Sequence, residues 1–311
     1  MTTLLLTHPA CLLHTNPPSH PERVDRLRVI NDALSENSFA DLLREEAPLA
    51  QDADVLLAHP KTYVERIKAA APHEGYHALD PDTHMSTGTL EAAYRAIGAT
   101  LRGVDQVLGG AVRNAFCAIR PPGHHAEAEK PMGFCIFGNV SIAAKHALER
   151  HGLTRVAIVD FDVHHGNGTQ NLVWDDPRIF FASTHQMPLY PGSGHATETG
   201  GHGNIVNVPL EPGSGGAVFR REVLQNILPA LRAHRPELIL ISAGFDAHRS
   251  DPLAQLGLLE ADYIWITNQI CDVADEFANG RVVSTLEGGY DLEALASSVA
   301  AHVNVLMERG G

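Results

Sequence analysis

The sequence predicts an α/β protein, a parallel sheet covered on both faces by helices. Short β-rich apolar runs alternate with longer amphipathic segments along all 311 residues. Neither an internal repeat nor a linker breaks that alternation, so residues 1–311 read as a single domain. Polar residues also gather just past the ends of the strand candidates, where open parallel sheets bind ligands.

Taken in order, Leu4 to Thr7 is the first strand candidate. A helix start follows at Ser19, because Ser19-His20-Pro21-Glu22 has capping-box spacing and Ser and Glu can satisfy each other's exposed amides. The next helix, about 90–108, stops at Gly109-Gly110, where glycine tolerates a left-handed cap. Ala115 to Ile119 is the second strand, and 139–151 is a helix with Asn139 as cap and Gly152 as stop. Val156 to Phe161 and Ile179 to Ser183 are the third and fourth strands. Over 217–234, Leu224, Ile227, Leu228 and Leu231 recur at threes and fours, which predicts a core stripe. Pro229 should kink that helix. Leu238 to Ser242 and Val282 to Leu286 are the last strands, with helices at 260–279 and 291–308. The Gly-rich stretches 192–203 and 211–216 are long loops, and neither spells a nucleotide cradle.

Composition narrows the function. A chain 44% hydrophobic and 19% charged can bury a sizeable core. A formal net charge of -14 argues against nucleic acid, whose phosphates demand clustered Lys and Arg. The cysteines Cys11, Cys117, Cys135 and Cys271 form no CxxC pair, so neither a disulfide framework nor a zinc ribbon is suggested. The start has no basic region before its leucines, and no apolar run approaches the roughly 20 residues of a membrane span. A cytoplasmic protein with no membrane partner is expected.

The segment VAIVDFDVHHGNGT, residues 156–169, runs from a buried-strand tetrad directly into Asp160, Asp162, His164 and His165. Burying so many ionisable groups is costly unless something pairs them, and a cation would. RPPGHHAEAEKPMGFC, SAGFDAHRSDP and LEGGYD follow three other strands, so His124, His125, Asp246 and Tyr290 converge on the same edge. Asp160, Asp162 and His164 share one face if the extended geometry persists to the end of their strand. Two of them can then bind one ion while the third orients a neighbour, and Asp246 is the best further ligand. Two carboxylates and an imidazole suit zinc with an open position, and also iron(II), cobalt or manganese. His185, His195, His202 and His248 lie on nearby loops without an assigned role.

These residues resemble the zinc-dependent histone deacetylase family, which includes bacterial deacetylase-like amidohydrolases and acetylpolyamine amidohydrolases. The resemblance rests on HPERVDRL, LDPDTHMSTGT, RPPGHHA, GFCIFGN, DFDVHHGNGT, YPGSG, SAGFDAH and LEGGYD, in that order along the chain. It implies an arginase/deacetylase-like fold with a parallel sheet of about eight strands and one catalytic Zn2+ per chain held by Asp162, His164 and Asp246. It further implies that His125 is the general base and then acid, His124 its electrostatic partner hydrogen-bonded by Asp160, and Tyr290 the oxyanion donor. Phe134 and Tyr190 would wall a narrow acyl-lysine channel, with Gly133 and Cys135 near its floor, and a structural K+ would sit near Asp160, Ser183 and the backbone of Asp162 and His164. Asn167 stands where many relatives carry an aspartate, which should lower the basicity of His125.

The expected reaction is deacetylation of acetyl-lysine-type substrates through a metal-activated water. An acetylpolyamine amidohydrolase is the main alternative, although Leu253 stands where one polyamine-selective branch has a glutamate. A two-metal ureohydrolase on the same fold would need further Asp and His ligands at His124, His125 and Asn167. A binding module without chemistry is the non-enzymatic reading. Oligomer formation is compatible with all of these.

Overall fold

The six apolar runs become strands of one eight-stranded, all-parallel sheet, and two further strands complete its edges. The computed structural model describes residues 2–311. The first part of the chain forms β1 (Thr3–Thr7), α1 (Asp25–Ala33), β2 (Leu43–Glu46), α2 (Asp52–Val55) and α3 (Lys61–Ala70). A two-stranded antiparallel hairpin, β3 (His77–Ala78) and β4 (His84–Met85), precedes α4 (Thr89–Leu108). Then come β5 (Asn114–Cys117), α5 (Asn139–His151), β6 (Val156–Asp160), α6 (Asn167–Val173), β7 (Ile179–Gln186) and β8 (Ile205–Leu210). The chain ends with α7 (Gly216–Glu222), α8 (Leu228–His234), β9 (Leu238–Ala243), α9 (Glu260–Phe277), β10 (Val282–Leu286) and α10 (Leu292–Gly310).

Strand order in the sheet is β2-β1-β5-β10-β9-β6-β7-β8. Helices α4 and α5 pack on one face, and α1, α9 and α10 on the other. The central strands are therefore buried on both sides, as a parallel sheet requires. The edges read differently. LREE of β2 is largely exposed, and IVNVPL of β8 carries Pro209, which an edge strand tolerates. β2 lacks the apolar signature of the inner strands, and in β8 Asn207 and Pro209 interrupt an otherwise apolar run.

Three helix expectations are corrected. No helix starts at Ser19, which has a left-handed φ of 69°. Glu22 is instead fully buried, paired with Arg26 at 3.0 Å and with Arg120, so ion pairing took the carboxylate that capping would have used. Asn139 is the first helical residue rather than the cap, and its amide donates to Pro121 O at 3.3 Å; Gly152 ends the helix at φ +71° as expected. Within 217–234 a π-helical turn, Val223–Ile227, separates α7 from α8 just before Pro229. Ile227, Leu228 and Leu231 are buried as expected, but ahead of them the wide turn rotates the face, so Val223 is buried while Leu224 is 51% exposed. Asp291 caps α10 by accepting from Ala294 N at 2.9 Å. Among the described residues no helix is long and apolar enough to cross a membrane.

Candidate active site

The loops that follow β5, β10, β9 and β6 belong to four adjacent strands, so the motifs that lie far apart in sequence meet above the middle of the sheet. Extended geometry does not persist past Asp160, where β6 ends. The chain turns instead: Asp162 N donates to Asp160 Oδ1 at 3.0 Å, and His164 N to Asp162 Oδ1 at 2.8 Å. The three side chains are therefore arranged by carboxylate-capped turns rather than by strand alternation.

Asp162, His164 and Asp246 come together, all buried, with one ligand atom of each lying within 4.8 Å of the others. His164 Nδ1 is 3.1 Å from Asp162 Oδ1 and 3.2 Å from Asp246 Oδ2. Gly288 N donates to Asp162 Oδ2 at 2.8 Å, and Val163 N to Asp246 Oδ1 at 2.8 Å. Gly288 has to be glycine, since a Cβ there would run into both carboxylates. Among the described residues the only ionic partners of the two carboxylates within 4 Å are imidazoles, His124 at 3.8 Å and His164. Burial resists charge on His164, yet Asp162 and Asp246 push its pKa up to about 10. The pocket thus draws positive charge, and its O, O and N donors fit a borderline divalent ion.

The tandem histidines sit beside this cluster in opposite electrostatic states. Burial works against charge on His124, but the carboxylates of Asp162 and Asp160 hold its pKa well above the usual value. Its Nδ1–H donates to Asp160 Oδ2 at 2.9 Å, while Glu287 Oε2 accepts from Gly123 N and His124 N. His125 is held well below the usual value by burial, then by the charge on His124. Its Nδ1 lies 2.8 Å from Asn167 Oδ1. Asn167 Nδ2 donates to Glu127 Oε1 at 2.8 Å, and because a carboxylate only accepts, the amide oxygen has to face His125. Nδ1 therefore carries the proton, which leaves an Nε2 lone pair on neutral His125.

Above these groups lies a cavity of about 230 Å³. Of the residues named from sequence, His125, Gly133, Phe134, His164, Tyr190, Leu253 and Tyr290 line it. Phe134 meets the Tyr290 ring edge-on at 5.9 Å, and Tyr190 meets His125 at 5.2 Å. Gly133 and Phe134 are both left-handed, at φ 56° and 69°, a conformation glycine takes freely but phenylalanine does not, and the hairpin segment holds the pair. Asp82 Oδ1 accepts from Gly133 N at 3.0 Å, and Thr83 Oγ1 from Phe134 N at 3.0 Å. Cys135 is buried behind the turn, where its sulfur accepts from His125 N at 3.4 Å. Burial, then the charge of Asp246, pushes the Asp251 carboxyl up to about 7; Oδ2 of that group accepts from Tyr290 N at 2.7 Å. Burial likewise keeps the Tyr290 phenol protonated, with its pKa raised well above the usual value.

Asp82 and Leu189 complete the cavity lining and were not assigned from sequence. Asp82 lies inside the quoted LDPDTHMSTGT block, so a signal was present; Leu189 is one residue from Tyr190 and gave none. Glu127, Asp251 and Glu287 went unassigned too, because a carboxylate that accepts backbone or amide hydrogens has no sequence spacing to mark it. His185 is buried between Ser183 Oγ and Gly194 O, while His195 and His202 line no part of the cavity. His248 is buried two residues past Asp246. Asp160 and Ser183 are register partners on neighbouring strands.

The histone deacetylase domain model matches residues 20–306. An uncharacterized protein of Synechocystis sp. is 43% identical over 95% of this chain and 96% of its own. Histone deacetylase 14, chloroplastic, of Arabidopsis thaliana is 41% identical over 98% of this chain and 76% of its own. The crystal structure of the HDA15 HD domain superposes with a TM-score of 0.94 at 32% identity, covering 99% of this chain and 89% of that one.

Proposed function

Because the chain belongs to the histone deacetylase domain family, we propose that it hydrolyses the acetamide of acetyl-lysine-type substrates, releasing amine and acetate. The observation that carries this reading is the buried Asp162, His164 and Asp246 cluster opening into a cavity that also exposes His125 and Tyr290. Zinc held by those three residues would polarise the acyl oxygen and acidify a water.

The remaining work falls to the chain's own groups. His125, neutral with its Nε2 lone pair free, takes a proton from the attacking water and later delivers it to the departing amine. Charged His124 stabilises the anionic surroundings without competing as a base. The protonated Tyr290 hydroxyl donates to the oxygen on which negative charge develops. Phe134 and Tyr190 flank the substrate's methylene stem and exclude water from it. Apolar Leu253 at the cavity wall supports an amide-flanked stem over a second ammonium, which is why acetyl-lysine is preferred here to an acetylpolyamine. Where a two-metal ureohydrolase would need further Asp and His ligands, His124 is bonded to Asp160 and His125 to the neutral amide of Asn167, which supports deacylation. A structural K+ belongs to the same proposal, where it would share the oxygens of Asp160 and Ser183.

The test compares kcat/KM for acetyl-lysine peptides and N8-acetylspermidine on chelated, then zinc-restored protein. Peptide turnover that disappears with the metal and returns with it is expected. A clear preference for the polyamine would overturn the substrate, and undiminished turnover after complete metal removal would overturn the mechanism.

A further inference from the structure

We propose that Asp105, His146 and His151 form a second transition-metal site, clamping α4 to α5 at the surface. Nε2 of His146 lies 2.8 Å, and Nε2 of His151 2.7 Å, from one and the same oxygen, Asp105 Oδ1. The three donor atoms lie within 4.8 Å of one another, the spread a single ion can span. Two imidazole nitrogens and a carboxylate oxygen are the donor set preferred by Zn2+, Cu2+ and Ni2+ rather than by Mg2+ or Ca2+. The side chains are 12% (His146), 28% (His151) and 41% (Asp105) exposed, so solvent can fill the remaining coordination position.

The site is separate from the catalytic cavity. Asn139, at the amino end of α5, packs under the loop that carries His124 and His125, while His151 is the last residue of the helix. At 1.5 Å per residue these ends are about 18 Å apart. β6 starts at Val156, just after His151, so the triad lies toward the amino ends of the strands, whereas the catalytic loops follow their carboxyl ends. Asp105 belongs to the last turn of α4, and an ion there would hold the ends of both helices together.

Zn2+ is titrated calorimetrically into the full chain, wild type beside His151→Ala and Asp105→Asn. The wild type is expected to bind one more equivalent than either variant, or to bind it more than about tenfold tighter, with kcat/KM on an acetyl-lysine peptide unchanged. Cu2+ added to the wild type should show electron paramagnetic resonance couplings from two imidazole nitrogens, which His151→Ala reduces to one. Identical Zn2+ stoichiometry and affinity in all three proteins would mean that the triad is a hydrogen-bonded ion pair only, and would overturn the proposal.

Discussion

Replacing Asn167 with leucine keeps the number and branching of the side-chain heavy atoms and removes the oxygen to which His125 donates at 2.8 Å. His125 is buried, so its Nδ1–H would lose its only named acceptor without gaining water. An unsatisfied buried donor costs about 1–3 kcal/mol, and the imidazole can avoid that cost by moving its proton to Nε2. That tautomer has no lone pair where the base is needed. At about 1.4 kcal/mol per decade, kcat/KM should fall roughly ten- to hundredfold. The Asn167 bond works against the low pKa that burial and the His124 charge impose, so removing it moves the pKa of His125 further down, and the acid limb of the pH profile should not rise. Glu127→Gln tests the same chain one step back: a glutamine can offer its own N–H, which permits the flipped Asn167, and a smaller fall is expected. The assay is kcat/KM against pH on an acetyl-lysine peptide, with thermal melting as the check on folding. A folded Asn167→Leu protein within twofold of wild type would refute the tautomer argument.

Tyr290→Phe should lower kcat by about 10² to 10³ while bound metal, measured by elemental analysis, is unchanged; normal turnover would remove Tyr290 from the oxyanion role. Gly133→Ala sets a Cβ against the His125 ring from a backbone at φ +56°, so kcat should drop more than KM rises; an unaltered kcat would show that the ring can yield. His302 is buried in the core, where desolvation pushes its pKa down to about 3, and it bonds Thr267 and Ser284. Since the folded value lies below the unfolded one of about 6.5, the stabilisation is present above pH 6.5 and is lost as pH falls towards 3. Between pH 7 and 5 this group alone removes about 2 kcal/mol. In His302→Gln, which can keep both hydrogen bonds, the pH 7 to 5 stability loss measured by urea unfolding should shrink by about that amount; an unchanged loss would place the titration elsewhere.

The inner strands and the buried cluster of Asp162 and His164 were legible because their chemistry is written locally. An apolar run such as Val156–Val159 has to be buried, and Asp162 and His164 directly after it are too dense in charge for a cap or a turn alone. Edge strand β2 was illegible for the converse reason, since an exposed LREE needs no apolar signature. Glu22 shows how local grammar can mislead: its capping-box spacing is sound, but Arg26 four residues on and Arg120, distant in sequence, take its carboxylate instead of the helix end. Likewise the expected stripe holds at Ile227, Leu228 and Leu231 but not at Leu224, where a wide helical turn before Pro229 buries Val223 instead.

By itself the sequence determined the α/β class, the run of buried strands and which ionisable side chains follow the strand ends, because hydrophobic periodicity and residue type are properties of the chain. Only tertiary structure decided that β5, β10, β9 and β6 lie side by side, since pairing between strands separated along the chain by whole helices and other strands has no local record. The same holds for the proton on His125, which depends on which way Glu127 turns the Asn167 amide, an orientation set by contact in space rather than by order along the chain.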